Sequence, residues 1–361
     1  MKKCVFWALP VILLWLGLCL FAWCKPQTDV SEAERRRLDR FPTLTLSALR
    51  TGSYMEDFES AATDQFPLRE PFRRLRAVFA CEVLGRLDSH EIYSCDGYLE
   101  KLTGPLDEGS LAHAADRLTS LRAAYFPDSR VFLAIVPDKG YFLPENSIYP
   151  TMDYAALFAR MEALLPFAEP VDLTAALSLD CYYRTDSHWR QERLGETAAV
   201  LADALGVTLS GNYETETVKT DFRGVYAGQS ALPTEAETIY RLTNGVLEGC
   251  TVTNHETGET GGLWDWEALN DRDPYDFYLS GAVSLLTIEN PAAPAEKELI
   301  VFRDSFGSSL IPLLAEGYRT ITVVDTRYIH PDLLAGLVDF HGQDVLFLYS
   351  TTLLNQSSAL R

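Results

Sequence analysis

Three residue types in two short stretches of the chain suit nucleophilic catalysis. The stretch CYYRTDSHWRQE (181–192) contains Asp186 and His188, two positions apart. The stretch ELIVFRDSFGSSLIPLL contains Ser305 shortly after an apolar run. A serine hydroxyl attacks an ester only when a base removes its proton, and an imidazole serves as that base when a carboxylate orients its second ring nitrogen. The two stretches together therefore predict a Ser305–His188–Asp186 triad.

The acid–base stretch has a structural alternative. Asp186 or Ser187 could cap a helix predicted over 190–205, which would place His188 in its first turn. The catalytic hypothesis instead places the two residues in an extended segment, in which side chains two positions apart point to the same side and could converge on one site. His188, one of six histidines in the chain, has an acid at this spacing and follows an apolar segment. This placement favours the catalytic hypothesis.

The serine stretch has an alternative of the same kind. Asp304, Ser305 or Ser308 could cap the helix predicted near 307–316. Arg303 also excludes the G-x-S-x-G nucleophile elbow, because that motif requires glycine two positions before the serine. Ligands in open α/β sheets nevertheless bind beyond the carboxyl ends of strands, where the start of a helix offers N–H groups to an oxyanion. Ser305 occupies such a position.

The elements around these stretches predict an α/β fold. The continuous apolar run RVFLAIVP indicates a strand buried on both faces. Apolar residues at helical spacing predict helices over 108–125 and 152–165. The C-terminal part alternates between strands at 298–302, 321–325 and 344–350 and helices at 307–316 and 331–339. This βαβαβ order predicts a mostly parallel sheet covered by helices.

Composition divides the chain into segments. Residues 1–24 are predicted to be a cytoplasmic tip and an anchor, and polar residues 25–75 a stalk with short helices. Residues 76–361 have the pattern of a globular domain. Within that domain, residues 206–295 are rich in Thr, Glu, Gly and Asn, and they are predicted to form a β-rich insertion.

The N-terminal segment predicts membrane attachment. MKK precedes the uncharged run CVFWALPVILLWLGLCLFAWC, and at about 1.5 Å per residue a helix of this length crosses a bilayer. Lys2 and Lys3 favour a cytoplasmic N-terminus, and the exit FAWCKPQ lacks a small-residue cleavage site. We therefore expect an uncleaved, single-pass transmembrane signal anchor in the cell membrane, with cleavage as the alternative. The rest of the chain is then extracytoplasmic.

Charge and motifs exclude several other functions. The formal net charge of −20 argues against nucleic-acid binding, because the phosphate backbone would be repelled. The sequence predicts no metal site and no cofactor, and NDRDPYD fails the pattern of a calcium loop. Three of the seven cysteines lie in the predicted anchor, and the other four are too sparse for a disulfide scaffold. A bridge between Cys81 and Cys95 and free thiols both remain open.

YYRTDSHW resembles the D-x-H-W signature of the DHHW protein family. That family is similar to the alginate O-acetyltransferase proteins, which have SGNH-hydrolase-like domains. Further segments fit the family in the same order: SEAERRRLDRFPTL, GSYMEDFESAATDQFPLRE, CDGYLEK, DFRGVYAGQSAL, DPYDFYLSG and FRDSFGSSLIPLLAEGYRTITVVDTRY. They cover nearly all of the chain beyond the anchor. The resemblance implies an SGNH-hydrolase-like three-layer αβα sandwich.

The resemblance also implies roles for the triad. Ser305 corresponds to the nucleophile, His188 to the base and Asp186 to its orienting acid. Two departures stand out, because Ser187 replaces a second histidine of the family and YLSGAVSLL replaces a segment that contains N-H-P. The first leaves the triad intact, whereas the second removes the basis for assigning that loop to substrate binding.

Three further residues are candidates for substrate contact. Arg327 and Tyr328 match a D-x-R-Y segment of the family, which implies a role in substrate binding or at the oxyanion site. Trp189 adjoins the acid–base pair, where its ring could stack on a sugar or pack in the core.

The sequence and the resemblance together predict a membrane-anchored, extracytoplasmic serine acyltransferase or esterase. Its substrate would be the O-acetyl groups of a cell-surface polysaccharide, and a membrane acyltransferase partner would supply acetyl groups. Transfer to a sugar and hydrolysis differ only in how well water is excluded. The alternative is a non-catalytic envelope protein that binds glycan or scaffolds a complex with the same fold.

Overall fold

The computed structural model describes residues 2–143, 149–293 and 296–361. The chain forms two compact units, Met1–Glu91 with Ala227–Thr234 and Ile92–Tyr226 with Glu235–Arg361. Met1 of the predicted anchor and residues 294–295 of the predicted insertion lie outside the described residues.

The helices and strands are numbered in chain order. The helices are α1 Lys2–Cys24, α2 Leu46–Thr51, α3 Ser53–Asp64, α4 Arg69–Val78, α5 Glu108–Tyr125, α6 Tyr154–Leu164, α7 Gly195–Ala204, α8 Val225–Ser230, α9 Gly245–Glu248, α10 Gly307–Leu314 and α11 Thr351–Asn355. The strands are β1 Val30–Ser31, β2 Arg36–Arg37, β3 Ile92–Cys95, β4 Tyr98–Lys101, β5 Val131–Val136, β6 Ala168–Val171, β7 Glu214–Phe222, β8 Glu237–Thr243, β9 Thr251–Asn254, β10 Thr260–Gly261, β11 Leu285–Glu289, β12 Glu298–Arg303, β13 Thr320–Val324 and β14 Asp344–Ser350.

The first unit contains α1 to α4 and the short pair β1–β2. Asp64 at the end of α3 is buried, and both of its oxygens accept hydrogen bonds from the Arg36 guanidinium, at 2.8 and 2.6 Å. Gln65 bonds the backbone of Thr28 and Asp39. Helix α4 crosses the stalk boundary predicted after residue 75, and the unit continues to Glu91. In the part of the chain that is described, no helix is both long and apolar enough to span a membrane.

The second unit is built on a sheet that, among the described residues, has eight strands in the order β10-β9-β11-β13-β12-β14-β5-β6. The run β13-β12-β14-β5-β6 is parallel, and β11, β9 and β10 continue the sheet in antiparallel fashion. The predicted parallel α/β sheet is thereby confirmed. Strands β9 to β11 come from the predicted β-rich insertion, so part of that segment extends the central sheet.

Alternate residues of the central strands pack on opposite faces of the sheet, as the pleat requires. Phe132 and Ala134 of β5 join a buried cluster with Leu201 of α7 and with apolar residues of α10. Val131, Leu133 and Ile135 join a second cluster with residues of α5 and α6. The sheet therefore lies between two helical layers, and its middle strands are apolar on both faces.

Two predicted helices differ from the structure. Helix α7 begins at Gly195, whereas the periodicity predicted a start near 190. The helix predicted over 331–339 is a 3₁₀ turn, Pro331–Gly336, in which the His330 side chain accepts the amide hydrogen of Asp332. In both places the local hydrogen bonds of a short turn replace a regular helical turn.

Candidate active site

Ser305 lies in a tight turn between β12 and α10, which we call the nucleophile turn (residues 303–307). Asp304 is buried in this turn and accepts two backbone hydrogen bonds, from Phe306 at 3.0 Å and from Ser350 at the end of β14 at 2.8 Å. Gly307 is needed at the helix start, because an added Cβ would lie 2.9 Å from the Cβ of Arg303. The turn thus places Ser305 at the carboxyl edge of the parallel strands.

The Arg303 guanidinium supports the nucleophile turn from inside the protein. It is fully buried and donates to the carbonyl of Gly281 at 2.8 Å and to the hydroxyl of Ser308 at 3.1 Å. Burial lowers the pKa of Arg303, while the Asp325 carboxylate, 3.7 Å from the guanidinium, opposes that shift. Arg303, which occupies the position of the first glycine in the G-x-S-x-G motif, therefore supports the nucleophile turn through the hydrogen bonds of its buried side chain.

Asp186 and His188 lie at the tip of a hairpin-like segment, residues 181–190, which we call the acid–base loop. Its ends pair through an antiparallel bridge between Tyr182 and Trp189, and the amide of Tyr183 donates to the carbonyl of His188 at 3.1 Å. At the tip the Asp186 carboxylate accepts the amide hydrogen of His188 at 3.0 Å. The prediction of an extended segment is therefore wrong, because this Asx-type turn brings the two side chains together.

The hydroxyl, imidazole and carboxylate form one continuous chain of hydrogen bonds. The Oγ of Ser305 lies 2.8 Å from the Nε2 of His188. The Nδ1 of the same ring lies 2.7 Å from the Oδ1 of Asp186. Asp186 is fully buried, His188 is nearly so and Ser305 is half-buried. This order of groups can transfer a proton from the hydroxyl to the ring while the carboxylate fixes the ring orientation.

The capping alternatives do not describe these side chains. Helix α7 begins at Gly195, well after Asp186. Its N-cap position is Leu194, which makes no side-chain capping bond. In the nucleophile turn, the carboxylate of Asp304 accepts the amide hydrogen of Phe306 as a cap would. The hydroxyl of Ser305 is instead hydrogen-bonded to His188.

A second segment, which contains Gly224 and Val225, contacts the side of Asp186 that faces away from His188. The Oδ2 of Asp186 accepts the amide hydrogen of Val225 at 2.8 Å. Gly224 lies so close that an added Cβ would come within 2.3 Å of the Cβ of Asp186 and 2.4 Å of its backbone nitrogen. A glycine is therefore required for this backbone approach. The segment DFRGVYAGQSAL, which carried part of the family resemblance, contributes these contacts.

Tyr275 stacks on the imidazole. The two ring centroids are 4.1 Å apart and the planes are inclined by 9°. The phenol oxygen lies 2.7 Å from the hydroxyl oxygen of Ser309, and burial raises the pKa of Tyr275 well above its ordinary value. Tyr275 thus keeps its proton and confines the imidazole plane. Sequence reasoning missed it, although it lies within DPYDFYLSG, another of the matching segments.

Trp189 is a core residue. Its side chain is fully buried, and its indole N–H donates to the carbonyl of Phe306 at 3.0 Å. The alternative of core packing describes this position, and stacking on a sugar does not. The indole instead joins the acid–base loop to the nucleophile turn.

Arg327 and Tyr328 follow β13 at the same sheet edge as Ser305. Strands β12 and β13 are parallel neighbours with Phe302 opposite Val324, so both segments leave the sheet at its carboxyl edge. The Arg327 guanidinium donates to both oxygens of Asp325, at 2.9 and 2.6 Å. Burial opposes its charge, but these bonds outweigh burial and raise the pKa of Arg327. Tyr328 is about half exposed, at 49%.

Six cysteines are free thiols: Cys19, Cys24, Cys81, Cys95, Cys181 and Cys250. Of the two alternatives for Cys81 and Cys95, the structure therefore has free thiols.

Comparison with known proteins places this fold among solved structures. No protein-family model and no curated protein matches the chain. A DHHW family protein from Eubacterium siraeum superposes with a TM-score of 0.61 at 21% sequence identity, covering 76% of this chain and 97% of its own. PatB1 of Bacillus cereus with a sulfonyl adduct superposes with a TM-score of 0.57 at 18% identity, covering 73% and 94%. The chain therefore shares the fold of these proteins, and the predicted resemblance to the DHHW family is confirmed at the level of the fold.

Proposed function

We propose that this protein is a serine acyltransferase or esterase that acts on O-acetyl groups of a cell-surface glycan. The observation that carries the proposal is the unbroken series of hydrogen bonds from Ser305 through His188 to Asp186, at 2.8 and 2.7 Å. Such an arrangement activates a hydroxyl for attack on an ester carbonyl. The sequence resemblance to the alginate O-acetyltransferase proteins supports acetyl as the acyl group.

The first half of the reaction forms an acyl-enzyme. The Oγ of Ser305 attacks the ester carbonyl while its proton moves to the Nε2 of His188. The Asp186 carboxylate accepts the hydrogen bond from Nδ1 and stabilises the imidazolium. When the tetrahedral intermediate collapses, the leaving alcohol takes the proton from Nε2, and the acyl group remains on Ser305.

The second half releases the acyl group to an acceptor. A sugar hydroxyl or a water molecule gives its proton to the Nε2 of His188 and attacks the acyl-serine. The intermediate then expels the Oγ of Ser305, which takes that proton back, and yields a new ester or free acetate. Exclusion of water decides between these outcomes. We propose that Arg327 and Tyr328, at the same edge of the sheet, contact the glycan or the developing oxyanion.

We further propose that residues 4–24 anchor the protein and that the catalytic unit works outside the cytoplasm. The uncharged apolar run and the preceding lysines support this proposal. A membrane acyltransferase partner would then deliver acetyl groups. If the proposal holds, the protein stays in membranes washed with alkaline carbonate, and external protease removes the catalytic unit from spheroplasts. Release by the wash, or resistance to protease in spheroplasts but not after lysis, would contradict it.

The catalytic proposal is tested on the full chain purified in detergent. Wild type should hydrolyse a chromogenic acetyl ester, and Ser305→Ala and His188→Ala should each lower kcat by about 10³-fold or more. Ser94→Ala and His330→Ala are matched controls on the exposed surface of the same unit. A soluble saccharide added to the assay separates transfer from hydrolysis, because transfer yields the acetylated sugar.

Covalent labelling provides a second test that does not depend on the chosen ester. PatB1 has been solved with a sulfonyl adduct, so a sulfonyl fluoride is a suitable probe. Intact-mass analysis should detect one added sulfonyl group on wild type and none on Ser305→Ala. Equal background turnover by all variants, together with absence of labelling, would favour the glycan-binding or scaffolding alternative.

A further inference from the structure

We propose that Lys139 and Glu237 are positioning residues that hold the acid–base loop from opposite sides and thereby keep Asp186 against His188. The proposal builds on the proposed function, because it assigns the support of the same site. Neither residue belongs to the triad.

Lys139 binds the carbonyl groups of the loop. It directly follows Asp138 beyond β5, and its side chain is fully buried. Its ammonium donates to the carbonyls of Asp186 at 2.7 Å and Tyr183 at 3.1 Å, and also to that of Leu99. A neutral amine has two N–H groups, whereas an ammonium has three. The three acceptors therefore match the charged form of Lys139.

The charge of Lys139 is costly to bury and is only partly compensated. Burial lowers its pKa, and the Glu100 carboxylate, 3.8 Å from Nζ, opposes that shift. The ring of Tyr226 lies 5.0 Å from the same nitrogen. Buried ion pairs contribute little to folding compared with apolar residues of similar size. A role in fixing the loop backbone explains this arrangement better than a role in global stability.

Glu237 binds the donor groups of the loop. It is the first residue of β8, and its Oε1 accepts the amide hydrogen of Arg184 at 2.8 Å. Its Oε2 accepts the amide hydrogen of Thr185 at 2.8 Å and the hydroxyl of the same residue at 2.5 Å. A carboxylate only accepts hydrogen bonds, so it complements these donors. The Thr185 hydroxyl oxygen in turn accepts the amide hydrogen of Gly224 at 2.9 Å.

The two charges together bind four consecutive residues, 183–186. The ammonium of Lys139 donates to the carbonyls at both ends of this stretch. The carboxylate of Glu237 accepts from the two amides between them. The stretch runs through bends, so its peptide groups depend on such partners. If either charge is lost, the carboxylate of Asp186 should shift relative to the ring of His188, while groups that touch substrate stay in place.

Kinetics separate positioning from general stability. Lys139→Met should lower kcat about 100-fold and Glu237→Gln about tenfold, since small displacements of catalytic groups have effects of this size, with KM unchanged. Lys297→Met is the matched lysine control, because its ammonium donates to the carbonyl of Gly206 at 2.6 Å. Glu316→Gln is the matched carboxylate control, because Glu316 likewise accepts the amide and the hydroxyl of one residue, Ser210. Both controls should keep wild-type kcat.

Two further measurements distinguish loop positioning from a merely structural role. The Nδ1 proton shared by His188 and Asp186 should give a low-field proton NMR signal in wild type, in both controls and in Asp180→Asn. That signal should weaken or vanish in Lys139→Met and in Glu237→Gln. In Lys139→Ala, n-propylammonium should restore activity about tenfold, whereas tetramethylammonium, which has no N–H group, should not.

The outcomes are decisive in each case. Retention of wild-type kcat and of the low-field signal in Lys139→Met or in Glu237→Gln would overturn the proposal. Equal losses in the two matched controls would do the same. If Lys139→Met fails to fold, Glu237→Gln alone decides, because its side chain is only half-buried. If wild type turns over no ester, the proposed function fails, and the NMR signal still tests the positioning role.

Discussion

The nucleophile turn and the acid–base loop hold their parts of the proposed active site by different structural means. The nucleophile turn joins a buried strand to a helix, and most of its bonds come from its own residues and from the neighbouring strand β14. The acid–base loop has no strand or helix at its tip, and residues 183–186 of that tip are bound by residues 99, 139, 224, 225 and 237.

Because of this difference, a substitution should affect each half of the site in a different way. The nucleophile turn continues a strand of the sheet and is stabilised by it. Substitutions of its supporting residues should therefore first lower the free energy of unfolding. The acid–base loop is bound by separate segments, so it can move while the fold persists. Substitutions that loosen it should therefore first lower kcat. Substitutions in each region test this division.

The largest effect is expected for Asp186→Asn. An amide can donate to Nδ1 and so stabilise the wrong imidazole tautomer, and kcat should fall about 10³–10⁴-fold. With the amide group turned this way, its oxygen still accepts the hydrogen of Val225, but the amide hydrogen of His188 loses its acceptor. The free energy of unfolding should therefore fall by only about 1 kcal/mol, with a modest loss of melting temperature. Asp180→Asn, in the same part of the chain, is the control. A large loss of melting temperature in Asp186→Asn would break the proposed division.

Asp304→Ala is expected to act first on stability rather than on kcat. The buried amides of Phe306 and Ser350 lose their charged acceptor, and the free energy of unfolding should fall by about 3 kcal/mol. Urea unfolding measures this loss. The control is Asp265→Ala, which removes a similar acceptor of backbone amides from a partly exposed turn and should cost about 1 kcal/mol. Equal losses would show that the nucleophile turn takes no special stability from the sheet.

An intermediate case is Gly224→Ala. The new methyl group would lie 2.3 Å from the Cβ of Asp186, and relief of that overlap should cost about 1–3 kcal/mol. Because Asp186 must move, kcat should fall as well. Gly195→Ala meets no atom within 4 Å and should keep both stability and kcat. Kinetics and urea unfolding on both variants measure the two effects, and wild-type kcat in Gly224→Ala would exclude close packing as the support of Asp186.

The two regions also differ in how far sequence could predict them. The apolar runs predicted β5, β12, β13 and β14 to within about two residues, because strands buried on both faces have an unambiguous pattern. Ser305 follows one of these strands, and its position at the sheet edge could be inferred from that pattern alone.

The acid–base loop was less predictable. Its residues could be named from their chemical types, but an extended segment was the wrong geometry, because the Asx-type turn depends on a side-chain-to-backbone bond. Lys139, Glu237 and Tyr275 could not be assigned, since their partners in the acid–base loop lie 44 or more residues away and are chosen by tertiary packing. Only the matching segment around Gly224 drew attention to that side of the loop.

The smallest effect concerns pH and the support behind Lys139. Burial raises the pKa of Glu100 to about 8 from an ordinary value of 4.5. The folded state therefore binds this proton more tightly than the unfolded chain, so the contribution of Glu100 to stability falls as pH rises between these values. Glu100→Gln removes this titration. The variant should accordingly gain stability relative to wild type between about pH 5 and pH 8, as measured by melting temperature at each pH.

The exposed Glu169→Gln serves as the control for that comparison, because Glu169 pairs with Arg130 at the surface. Its melting temperature should follow that of wild type across the same range. A gap between Glu100→Gln and wild type that stays constant with pH would mean that Glu100 keeps its charge beside Lys139 throughout. The support of the acid–base loop would then be a permanent ion pair, and its contribution to stability would not change with pH in this range.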